Sequence, residues 1–141
     1  MLIIPGKPTP LARPRFCNGR VFNSQVEEFR LFALQVFAAM TTQHVSRFDG
    51  PLSLRIDYAM PIPSKFTDNE RERALAGLLM PAAVPDLSNL IKFTEDALNG
   101  LLWQDDKQII HLDCLKYYSD YPQTIISFGE IRTPLTKENS R

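Results

Sequence analysis

At 141 residues and 44% hydrophobic content, the chain is long enough for one domain with a real core. Sixteen basic and sixteen acidic residues cancel to a net charge of zero, so bulk charge does not announce a nucleic-acid partner. Two cysteines are too few for a disulfide scaffold or a zinc site, and no apolar run approaches the roughly 20 residues needed to span a membrane.

Read in chain order, Leu2–Pro5 is a short strand ended by Pro5-Gly6. The opening apolar run is too short and too soon broken for a signal peptide, so the expectation is a soluble, cytoplasmic protein with free thiols. Residues 7–20 hold Pro8, Pro10 and Pro14 with Lys7, Arg13, Arg15 and Arg20 and no acid, which predicts an extended basic loop. Asn23 or Ser24 is placed to cap a helix running to about Met40, with Val26, Phe29, Leu31–Leu34 and Val36–Phe37 at helical spacing. Leu52–Met60 alternates apolar with polar residues, the pattern of a strand with one buried face, and Pro61 and Pro63 end it. Thr67-Asp-Asn-Glu70 matches a capping box and opens a short helix through about Leu79, read as an exposed, mobile flap carrying Arg71 and Arg73.

Pro81 and Pro85 bracket a linker into a helix from about Leu87 to Leu98, stopped by Asn99-Gly100. Its buried side is expected to hold Leu87, Leu90, Ile91, Thr94, Ala97 and Leu98. Gln108–Tyr118 and Thr124–Arg132 read as two strands of a hairpin turning at Asp120–Pro122, with Trp103 packed beneath it. The order predicts a single α+β domain over residues 1–133, a small mixed β-sheet with helices packed on it. Residues 134–141 form a polar tail expected to be disordered.

The chemistry concentrates between Asp86 and Asp113, where six acids lie in 28 residues and only Lys92 and Lys107 oppose them. Asn89, Lys92 and Asp96 recur at three- and four-residue spacing and share a helix face, while Asp86 stands at the helix start. Glu95 is turned about 100° from Asp96 and should serve a different face. Asp105 and Asp106 are adjacent at a strand start, so their side chains should diverge. Oxygen ligands with one lysine suit a hard divalent cation held against a phosphate, whereas His44 and His111 are isolated. A capping aspartate and a solvated Asp-Asp turn are the structural alternatives for each acid taken singly. Phe16, Phe22 and Phe66 beside the basic loops could wedge at a branched DNA, and core packing or a dimer contact is their simpler use. Ser24 and Ser88 have no histidine near in sequence to activate them.

Three segments resemble the RusA family of Holliday junction resolvases found in phages and prophages. Gly6-Lys7-Pro8 through Arg13-Pro14-Arg15 is similar to its N-terminal segment. Pro85-Asp86-x-x-Asn89-x-x-Lys92 through Asp96-Ala97-Leu98 is similar to its Pro-Asp-x-Asp-Asn-x-x-Lys…Asp-Ala-Leu core. Trp103-x-Asp105-Asp106-x-Gln108-Ile109 is similar to its Asp-Asp-x-Gln strand start, and Lys116 ends that strand as a lysine often does in the family. The resemblance spans roughly residues 2–130 and implies a RusA-like fold and a Mg²⁺- or Mn²⁺-dependent endodeoxyribonuclease. It would nick four-way junction DNA in pairs during recombination and repair, as a homodimer with no small-molecule cofactor, in a bacterial or phage-infected cell.

Carried over, the resemblance gives Asp86 and one of Asp105 and Asp106, with Asp106 favoured, to the metal, and Asp96 as a further ligand or supporting acid. Lys92 stabilises phosphate charge or positions water, and Asp86, Lys92 and Asp106 form the catalytic set. Read from the residues themselves, Lys7, Arg13, Arg15 and Arg20 are phosphate contacts for branched DNA or else an ordinary solvated loop, and Arg71 and Arg73 could contact a DNA arm, with a solvated helix face the simpler reading. Ser88 stands where the family has a second core Asp. It could hold a metal-bound water beside Asn89, its loss of charge could be made up by Asp96 or Asp105, or the chain could bind junctions and cleave weakly. A hydrolase of small phosphate esters is a third possibility, disfavoured by the basic arm. The dimer contact is expected on the exposed apolar residues of Leu31–Phe37 or on the C-terminal hairpin.

Overall fold

A computed structural model describes residues 1–12, 15–22 and 25–129. The elements in order are β1 (Leu2–Pro5), β2 (Arg15–Cys17), β3 (Arg20–Phe22), α1 (Val26–Thr42), β4 (Leu52–Pro61), α2 (Asp68–Leu75), α3 (Leu87–Leu98), a 3-10 turn (Asp106–Gln108), β5 (Ile109–Ser119) and β6 (Gln123–Gly129). This is an α+β fold: a mixed four-stranded sheet in the order β1-β6-β4-β5, a separate β2-β3 pair, and three helices.

β4 is central because both its edges are used. It pairs parallel with β5 and antiparallel with β6. Its alternation sends Leu52, Leu54, Ile56, Tyr58 and Met60 to one face, all buried. α1 and α3 cover that face, adding Val36, Met40, Leu90 and Leu98 to the same core. The opposite face carries Arg55, which pairs with Asp57 at 3.1 Å and Asp113 at 3.6 Å. The helical layer therefore excludes water from one side of the sheet only.

Four expectations are corrected. β5 and β6 are not a hairpin: β4 lies between them, so the connection through Asp120–Pro122 passes over a strand. The apolar β4 takes the middle, where both its edges are hydrogen-bonded. Residues 7–20 are not one loop, since β2 and β3 pair antiparallel around Asn18-Gly19. Those two residues have φ of 51° and 75°, the geometry an Asn-Gly turn supplies. α1 begins from Gln25 rather than from Asn23 or Ser24, which lie outside the described residues, and it runs on to Thr42. α2 stops at Leu75, because Gly77 turns the chain with a φ of +76°.

α2 is also tied down rather than free. Its capping box forms as expected between Thr67 and Glu70, Arg71 pairs with Asp120, and Phe66 packs edge-on against Tyr118 with centroids 5.5 Å apart. Arg132 and the 134–141 tail lie outside the described residues. No helix among the described residues is long and apolar enough to cross a membrane.

Candidate functional site

α3 is amphipathic and its buried side is held tightly. Leu90, Phe93, Thr94 and Leu98 are buried, while Leu87, Ile91 and Ala97 are half-buried. Phe93 stacks on Phe29 at 4.8 Å and meets Phe32 edge-on at 5.6 Å, and the Tyr58 hydroxyl lies 2.8 Å from Thr94 Oγ1. That packing turns Ser88, Lys92 and Asp96 outward, with Asn89 and Glu95 partly covered at the margin.

At the entrance to α3, Asp86 occupies the N-cap but makes no side-chain capping bond. Its carboxylate is exposed and not consumed by the helix. The Lys116 ammonium, reaching from β5, donates to Ala83 O at 2.7 Å and Pro85 O at 2.8 Å just before it. The N-terminal arm is bound here too. Leu11 N donates to Asn89 O at 2.9 Å, and Gln25 grips the arm by accepting from Ala12 N and donating to Pro10 O. Lys7 and Lys116 line one cavity of about 240 Å³ with Pro85. The arm therefore lies along the first turns of α3. Arg13 lies outside the described residues, and Arg15 and Arg20 stand on the β2-β3 pair by their backbone.

At the exit, Gly100 (φ +85°) turns the chain back so that Trp103 is fully buried against the helix end. Trp103 Nε1 donates to Asp106 Oδ1 at 2.6 Å. Asp105 caps the 3-10 turn, accepting from Lys107 N at 3.0 Å. Gln108 accepts from Asp105 N and donates to Phe48 O and Gly50 O. The adjacent aspartates thus diverge, Asp105 into a turn and Asp106 toward α3.

The electrostatics identify what Asp106 meets. The carboxyl groups of Glu95 and Asp96 are both pushed above their ordinary values, first by partial burial and then by the Asp106 carboxylate, with Asp96 adding to Glu95. Glu95 was expected to serve a different face. The returning chain brings Asp106 within reach of both. Asp86 does not join this group: ten residues of helix separate it from Asp96, about 15 Å of rise. Among the described residues no three His, Cys, Asp or Glu side chains stand close enough to hold a metal by themselves. Magnesium does not require that, because it is commonly bound through one or two carboxylates with waters and substrate phosphates completing the shell. Asp96 and Asp106 at the helix exit offer hard oxygen donors to such a cation, while Asp86, at the other end of α3, stands too far along the helix to ligate the same ion.

The remaining candidates have other partners. Arg71 is engaged by Asp120, Arg73 is exposed on α2, and His111 Nδ1 lies 3.0 Å from Ser53 Oγ. His44 ends α1 with a φ of 56°. Burial raises the Cys114 thiol to about 11, so it is an unreactive packing group. Sequence reasoning missed Lys116 as a tether and Gln108 as a clamp. The Trp103-x-x-Asp106 spacing on a tight turn was the available signal for the indole bond.

The family model for the endodeoxyribonuclease RusA matches residues 5–128. The chain is also similar to the uncharacterized protein YqaN of Bacillus subtilis strain 168. The two are 32% identical over 132 residues, covering 89% of this chain and 92% of that protein.

Proposed function

Since the chain belongs to the RusA endodeoxyribonuclease family, whose activity is Holliday junction resolution, we propose that it cuts four-way DNA junctions in a Mg²⁺-dependent reaction, by paired nicks made within a homodimer. The observation that carries this reading is the return of Asp106 toward Glu95 and Asp96, whose carboxyl groups are raised first by partial burial and then by that neighbouring charge. Acids held together against their repulsion are where a divalent cation gains most.

In this reading Asp96 and Asp106 are the metal-binding acids at the exit of α3, with Asp105 in support, and Asp86, about 15 Å of helix away, takes part through a separate ion or through waters and phosphate oxygens. Bound Mg²⁺ would supply Lewis-acid stabilisation of phosphate charge and a more acidic water. Asp86 offers an exposed carboxylate that no capping bond competes for. Asp106 offers the oxygen not taken by Trp103. Lys92, exposed and without a carboxylate partner among the described residues, holds the scissile phosphate by its charge and orients it. Lys7 on the arm beside α3 contacts a neighbouring phosphate, joined by Arg13, Arg15 and Arg20 and, more weakly, by Arg73 and the engaged Arg71. Two-fold pairing gives two matched sites for a junction with near two-fold symmetry. The exposed row Leu31, Leu34 and Phe37 on α1 is apolar surface suited to that contact.

One observation favours a second reading. Ser88 is exposed in the first turn of α3 and offers a neutral hydroxyl where the family has a carboxylate. The chain would then be a junction-binding protein with weakened cleavage. A labelled mobile four-way junction incubated with Mg²⁺ or Mn²⁺ separates the two. Paired symmetric nicks that vanish in Asp86→Asn and Lys92→Ala are expected. Equal cutting of plain duplex overturns junction selectivity. Binding that persists in EDTA without nicking, with nicking gained in Ser88→Asp, establishes the second reading instead.

A further inference from the structure

We infer that Lys116 is a positioning residue for the Asp86 carboxylate, acting through the backbone of the linker that delivers Asp86 to α3; this rests on the nuclease reading above. The β4-β5 register sets Lys116 opposite Tyr58, and Tyr58 faces α3. Neighbours in register on parallel strands point to the same side, so the Lys116 side chain leaves the sheet on its helical face. From there its ammonium donates to two carbonyls, Ala83 O and Pro85 O, at 2.7 and 2.8 Å. Charge-assisted bonds of this length are the stronger class.

The linker has little else to hold it. Among the described residues, Ala83 to Pro85 make no other hydrogen bond, and Val84 is 87% exposed. Pro85 has no N–H to donate. Among the described residues Asp86 itself is anchored through its carbonyl alone, which accepts from Asn89 N and Leu90 N, while its side chain makes no capping bond. A carboxylate that neither caps nor pairs takes its place from its backbone. That backbone is located on one side by α3 and on the other by Lys116. The ammonium pairs with no carboxylate among the described residues, and its bonds serve the linker rather than a surface ion pair. A reacting group displaced by about 1 Å can lose about a hundredfold in rate.

The test compares Lys116→Met with Lys116→Arg in the full chain. Three quantities are measured: single-turnover junction cleavage in Mg²⁺, junction affinity in Ca²⁺, and metal-free amide hydrogen exchange over residues 82–90. In Lys116→Met, cleavage should fall at least about tenfold at saturating junction, with affinity changed less than about twofold. Exchange should rise in that segment and nowhere else. Arginine can donate to both carbonyls, so Lys116→Arg should recover most of the rate. Should Lys116→Met fail to fold, Lys116→Gln, whose uncharged and shorter amide loses the charge assistance and the reach, carries the same comparison.

Unchanged cleavage overturns the inference. So does lost affinity with the bound rate intact, since Lys116 would then be a phosphate contact. A general rise in exchange without rescue by arginine also overturns it, since that marks a purely structural residue. If the unaltered chain cuts no junction, the nuclease reading has failed on its own. Lys116 is then judged by Mn²⁺-induced relaxation of the Asp86–Lys92 amides, which should weaken in Lys116→Met and stay equal if the inference is wrong.

Discussion

The two ends of α3 hold their acids in opposite ways. At the entrance the backbone is tethered and the carboxylate is left out: Lys116 bonds two carbonyls, Leu11 bonds a third, and Asp86 caps nothing. At the exit the carboxylate itself is tethered, with Asp106 gripped by a fully buried indole and Asp105 spent on a turn. Asp106 is therefore tied to the folded core through Trp103, while Asp86 belongs to the surface. A change at the exit should be read first in stability and a change at the entrance first in chemistry.

The largest effect expected is at the exit. Trp103→Ala empties a fully buried site and should cost about 3–5 kcal/mol in denaturant unfolding. Trp103→Phe, which keeps most of the volume and removes the donor to Asp106, should cost about 1–3 kcal/mol. At the entrance, Asp86→Asn should leave stability within about 0.5 kcal/mol, because the side chain makes no capping bond. The same substitution should lower junction cleavage by roughly 10² to 10³-fold, with affinity kept. A loss of stability in Asp86→Asn comparable to that of Trp103→Phe would erase the contrast.

The helix between the two ends was legible in the sequence, and the tethers at those ends were not. α3 emerged with its bounds intact because Pro85, the apolar spacing of Leu90, Thr94 and Leu98, and Asn99-Gly100 all agree locally. The divergence of Asp105 and Asp106 follows from their adjacency. Other features are not local. β4 between β5 and β6 is a choice made by the whole sheet, and a short turn between two strand-like segments reads the same with or without a strand between them. The meeting of Asp106 with Glu95 depends on how the loop from Gly100 to Asp105 folds back under the helix end. The β2-β3 pair was legible in Asn18-Gly19, but three prolines upstream argued more strongly for a loop.

A smaller test concerns the clamp. Gln108 joins Asp105 N to the carbonyls of Phe48 and Gly50, and so ties the exit turn to the chain leaving α1. Gln108→Ala should cost about 1 kcal/mol, since water can reach these partly exposed groups and replace part of the bonding. Amide exchange should rise at residues 48–50 and 105–108 together. A rise on one side alone would mean the two segments are held independently.

The smallest effect separates the ends by pH. Glu95 and Asp96 have raised carboxyl groups in the folded chain, so folding favours their protonated forms. Their contribution to stability is fully present below the ordinary carboxyl values near 4 and is lost as pH rises through the raised folded values. Metal-free protein should therefore lose this increment as pH rises above about 4. Asp106→Asn removes one source of repulsion while its amide oxygen can still accept from Trp103. It should flatten the profile by about 0.5 kcal/mol or less, because both groups remain largely exposed and solvent screens them. Denaturant unfolding in EDTA at pH 4, 5.5 and 7 measures this, and 0.5 M salt should shrink it. Asp86→Asn should leave the profile as it is, since Asp86 stands about 15 Å of helix away. Parallel profiles for Asp106→Asn and the unaltered chain would mean that burial alone raises the pair, and that the exit acids do not act as one group.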